Sequence, residues 1–77
     1  PMTIEQLQHI ADMLVRTYRE EIIRDGDWWF GIDHHDFNIH NHGREESNIY
    51  SVNVYEQNSE GLNIYSKWID LKPISIV

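Results

Sequence analysis

The chain has 77 residues, no cysteine, 13 acidic against 6 basic side chains, and a formal net charge of -7. A length of this order makes one small domain, able to bury only about 60% of its unfolded surface, and without cysteine no disulfide can supplement the core, which fits a reducing compartment. The acidic balance disfavours nucleic acid and anionic membranes as direct ligands, because phosphate contacts are supplied by Lys and Arg.

Pro1 ahead of Met2 reads as an expression remnant and is set aside. The residues that follow lack the basic, apolar and small-residue progression of a signal peptide. No apolar run approaches bilayer length, so a soluble cytoplasmic protein is expected. Thr3-Ile4-Glu5-Gln6 has the form of a capping box. Apolar residues then recur at Ile4, Leu7, Ile10, Ala11, Leu14, Val15, Tyr18 and Ile22, with charged and polar residues between them. That spacing predicts one amphipathic helix over about residues 4–24, ended by Asp25-Gly26.

After Gly26 the period changes to alternation. Trp28, Phe30 and Ile32 share one parity, and Trp29, Gly31 and Asp33 the other. Phe37 and Ile39 alternate with Asp36, Asn38, His40 and His42, and Tyr50, Val52 and Val54 alternate with Ser51, Asn53 and Tyr55. In the last run Leu62, Ile64 and Trp68 oppose Tyr65, Ile69 and Leu71, so a bulge or a two-sided strand is required. Turn residues separate these runs at His42–Ser47 and Gln57–Gly61, while Asp33–Asp36 is either a further turn or a kink in one long strand. The expected fold is α+β. A single N-terminal helix packs on one face of an antiparallel meander over about residues 28–71, three-stranded, or four-stranded if Asp33–Asp36 turns fully. The opposite sheet face is left without a covering layer.

Charge is concentrated in the strand half. Asp25, Asp27, Asp33, Asp36, Glu45, Glu46, Glu56 and Glu60 face only Arg44 between residues 25 and 60, so this stretch is itself net -7. Glu45, Glu46, Glu56 and Glu60 fall in expected turns, a layout that would steer a basic partner towards the sheet. The aromatics add a contact surface. Trp28 belongs with the core parity, which leaves Trp29 on the open face with Tyr55 and Tyr65, among Asn38, Asn53, Asn63, His40 and Asp36. Trp and Tyr with adaptable amides and a carboxylate rim have the composition of a protein-binding hot spot.

Enzymatic chemistry has little support. There is no cysteine nucleophile, no Gly-x-Ser-x-Gly elbow and no phosphate-cradling glycine loop, and no cofactor is expected. His40 and His42, two apart on a strand, could share a metal if a third ligand arrived from elsewhere, but the polar side of a half-buried strand explains them as well, and no metal site is assigned.

In size, acidity, lack of cysteine and α+β organisation, the chain resembles small phage or mobile-element inhibitors such as anti-CRISPR proteins and other nucleic-acid mimics. It is similar in composition to immunity proteins of basic nuclease toxins. The resemblance covers overall character and transfers no residue. The expectation is a non-enzymatic inhibitor that occupies a basic, nucleic-acid-binding surface of a partner protein, with Trp29, Asp33, Asp36, His40, Glu45, Glu46, Asn53 and Tyr55 in contact. The alternatives are a homo-oligomeric module, such as a homodimer, an immunity-type binder of a basic toxin, and a His-dependent metal-binding protein.

Overall fold

The computed structural model describes residues 1–44 and 48–72, with Arg44 described by its backbone alone. The elements run α1 (Ile4–Thr17), α2 (Arg19–Asp25), β1 (Trp28–Ile32), β2 (His35–Arg44), β3 (Ile49–Gln57) and β4 (Asn63–Leu71). The α+β class holds, with one correction, that the helical segment is broken in two; of the two strand counts left open, the sheet takes four.

The capping box forms as the sequence implies. Thr3 Oγ1 accepts from the Gln6 amide at 3.1 Å, and Gln6 Oε1 accepts from the Thr3 amide at 2.8 Å. The break falls at Tyr18, whose φ of -106° and ψ of 26° leave the helical region. Hydrogen bonding continues across it, because the Tyr18 amide donates to the Leu14 carbonyl and the Ile22 amide to the Tyr18 carbonyl. The Tyr18 ring meets Phe30 at 4.9 Å and Trp28 at 6.3 Å between centroids. The bend lets α1 pack chiefly on β4 while α2 reaches β2, where Ile22 is fully buried. A straight helix would carry one of these stripes off the sheet.

Gly26 then takes a φ of 91°, in the left-handed half of the map, and its amide closes onto the Ile22 carbonyl. Two side chains from the sheet satisfy end carbonyls of α2: Trp28 Nε1 donates to Glu21 at 3.3 Å, and Asn41 Nδ2 to Ile22 at 3.2 Å.

The strands form one antiparallel sheet in the order β1-β2-β3-β4. Asp33–Asp36 does turn fully. Ile32 pairs with His35 around Asp33-His34, whose φ values of 50° and 65° give the primed two-residue turn that matches strand twist. The β3–β4 connection is organised by Asn58, whose Oδ1 accepts from the Glu60 and Leu62 amides at 2.9 and 3.0 Å. In a meander these two turns lie at the same end of the sheet.

Leu7, Ala11, Val15 and Ile22 of the helices pack on Phe37, Ile39, Val52, Val54, Tyr65, Ile69 and Leu71 of the sheet. Burying side chains of this size contributes about 1.5–3 kcal/mol each before the entropy of ordering is charged against it. The β4 register, Val52 with Ile69 and Glu56 with Tyr65, settles the two-sided pattern of the last strand. Tyr65, Ile69 and Leu71 face the helices, so the placement of Tyr65 on the open face is corrected: it is 3% exposed. Ile64 and Trp68 are the outward set. No helix of the described residues is long and apolar enough to cross a membrane.

Candidate functional site

Because successive strand residues alternate between faces, the parity that buries Phe37, Ile39, Val52 and Val54 sends their neighbours outward. The register aligns these in rows. Trp29, Asn38, Tyr55 and Ser66 form one, and His40, Asn53 and Trp68 form the next. Trp29 is 60% and Trp68 58% exposed, an unusual state for indoles. Trp68 was missed by sequence reasoning, since apolar residues on both parities of β4 hide which set is buried. The pairing of Ile69 with Val52 is what reveals it.

Each expected contact residue can now be placed. Trp29, Asp33 and Asp36 come together at the β1–β2 hairpin, all three exposed. The Trp29 indole lies over Gly31: a Cβ built there would be 3.0 Å from Trp29 Cη2 and 3.2 Å from Cζ2. Asp36 is the cross-strand partner of that glycine. Tyr55 is half-buried two strands away, at roughly 10 Å given the usual strand spacing. Glu45 and Glu46 lie outside the described residues.

His40 and Asn53 are on the open face but already engaged. His40 Nδ1 is 2.8 Å from Asp27 Oδ1, and the His40 and His42 rings meet at 4.4 Å, with Trp68 5.1 Å beyond His42. Asn53 Nδ2 donates to Ser66 Oγ at 2.8 Å, and Asn38 Nδ2 to the Tyr55 carbonyl at 3.1 Å. These amides tie strands together before they offer anything to a partner. Among the described residues no group of three or more His, Asp or Glu is gathered as a metal site.

The acidic stretch does not form one continuous rim. Asp25 pairs with its neighbour Arg24 at 3.1 Å, and Glu60 sits in the β3–β4 turn. Glu56, expected in a turn, is instead buried at 6% exposure on the helix-facing parity of β3. One of its oxygens lies 2.8 Å from His35 Nδ1, and the other accepts the Asp36 amide at 3.0 Å. Tyr65 donates its hydroxyl to the Asp36 carbonyl at 2.6 Å. Burial, with the charges of Glu56 and Asp36 adding to it, holds the Tyr65 hydroxyl well above the ordinary tyrosine range. This group braces the hairpin from beneath. The open face gains a carboxylate from outside the stretch, Asp70, which accepts from Ser51 Oγ at 3.0 Å.

Comparison with known proteins finds no family model that matches the chain and no curated protein or solved structure similar to it.

Proposed function

We propose that this protein is a stoichiometric antagonist that binds a basic, nucleic-acid-handling surface of another protein, as anti-CRISPR-like and other nucleic-acid-mimicking counter-defence proteins do. The observation that carries this reading is the uncovered sheet face, with Trp29 and Trp68 exposed on it and Asp36 and Asp70 among them. Exposed indoles supply desolvated anchors, and carboxylates supply steering and register towards a cationic surface. Asp33 and Asp36 would stand where phosphates of a displaced nucleic acid stood. Glu56 takes no part, since it is buried and committed to the hairpin.

Capture of partners from a host lysate on immobilised protein, followed by elution with competing DNA or RNA, tests the reading. Basic nucleic-acid-binding proteins should be retained, and should leave when nucleic acid or salt is added. Retained partners indifferent to both would overturn it.

A second reading is self-association through the same face, favoured by the presence of two exposed indoles on one side of a small sheet. Sedimentation separates the two: a strict monomer at micromolar concentration removes the second, and a dimer broken by Trp68→Ala supports it.

A further inference from the structure

The β1–β2 hairpin holds a more specific arrangement than a charged aromatic face. Gly31 has no side chain, and the slot it leaves on the open face is filled by the indole of Trp29, two residues earlier on the same strand. The benzo edge of the ring therefore rests over Gly31, while the residue as a whole stays 60% exposed. Opposite Gly31 stands Asp36, in a pair where Cα atoms are about 4.5–5.5 Å apart. That register puts Asp36 on the open face next to the position the indole covers. Among the described residues it enters no ion pair, and its backbone is fixed at both polar groups, by Glu56 and by Tyr65. Asp33 adds a second carboxylate in the adjoining turn.

An exposed indole with a carboxylate on the neighbouring strand is chemically complementary to a planar cation. We propose that this hairpin is a receptor for an arginine side chain of the partner, the guanidinium stacking on Trp29 while its N–H fork donates to Asp36. This rests on the basic-partner reading and sharpens it, because lysine is not equivalent here. A guanidinium is weakly hydrated, stacks on aromatic rings and offers parallel donors, whereas an ammonium is a compact, strongly hydrated point charge. The other exposed indole, Trp68, neighbours His42, and the carboxylate two residues along β4 from it, Asp70, already accepts from Ser51 Oγ at 3.0 Å, so Trp68 serves as the internal control.

The test is an NMR titration of the labelled protein with two hexapeptides of equal charge, hexa-arginine and hexa-lysine. The Trp29 indole N–H should shift most with hexa-arginine, which should bind about three- to fivefold more tightly than hexa-lysine. Trp29→Leu should bring the two affinities together, and Trp68→Leu should leave their ratio unchanged, with the amide spectrum reporting that each variant is folded. Equal affinities in the unaltered protein, or an arginine advantage that survives Trp29→Leu, would overturn the arginine receptor while leaving a basic partner intact. No shift on the open face with either peptide at millimolar concentration would overturn both.

Discussion

Glu56 and His35 form a hydrogen-bonded pair at 2.8 Å beneath the β1–β2 hairpin, with the carboxylate almost wholly buried. The second carboxylate oxygen holds the Asp36 amide, so one buried acid positions the backbone of the exposed acid next to it. Support and contact surface thus lie on neighbouring strands, buried Glu56 on β3 and exposed Asp36 on β2.

Glu56→Ala should therefore destabilise the fold by about 2 kcal/mol, because it strands the Asp36 amide and leaves His35 without its acceptor. His35→Ala should cost less, since Glu56 keeps the amide. Denaturant unfolding of both variants and of the double variant measures the coupling.

Tyr65 predicts an alkaline limit to stability. Its hydroxyl is held above the ordinary value by burial, so the folded state keeps a proton that the unfolded state releases near pH ~10. Its contribution is complete below that pH and is lost as pH rises towards the folded value. Tyr65→Phe should cost about 1 kcal/mol at neutral pH through the lost bond to the Asp36 carbonyl. It should also flatten the fall in stability above pH ~10, as read by thermal unfolding across pH.

Gly31→Ala separates contact from stability. The new methyl would lie 3.0 Å from Trp29 Cη2, so the indole must lift from the strand. As the ring is exposed and alanine suits a strand better than glycine, stability should stay within about 0.5–1 kcal/mol of the parent. The arginine advantage in peptide binding should nevertheless fall towards that of Trp29→Leu. An unchanged advantage would show that the position of the ring over Gly31 is immaterial.

The hairpin turn can be improved on backbone grounds alone. Asp33 and His34 both have positive φ, which Asn-Gly adopts more readily. The double substitution Asp33→Asn with His34→Gly should stabilise the fold by about 1 kcal/mol, the relief of left-handed backbone less the chain entropy that glycine adds to the unfolded state. It also removes one carboxylate beside Trp29, so association with a basic partner should slow and become less salt-dependent.

Kinetics of partner binding should divide the open face by role. Asp36→Lys should slow association, most strongly at low salt, whereas Trp29→Ala should chiefly speed dissociation. Surface plasmon resonance at two salt concentrations reads both.

Much of this could be read along the chain. The capping box at Thr3 and Gln6, the helical stripe from Ile4 to Ile22 and the outward parity of Trp29, His40, Asn53 and Tyr55 are properties of neighbouring residues, decided by local geometry. Even the burial of Glu56 had a signal, since it shares parity with Val52 and Val54, and His35 shares parity with Phe37. Its place near a turn obscured that signal.

Residue order alone carries the change of period after Gly26, the one-sided apolar stripe and the concentration of net charge in the strand half. Tertiary structure alone decided that the helix bends at Tyr18, that Tyr65 is buried while Trp68 is exposed, and that Trp29 lies over Gly31 beside Asp36. Range separates the two sets. Period and capping depend on residues a few positions apart, whereas the facing of β4, the bend and the company of an exposed ring depend on strand register and packing between distant segments.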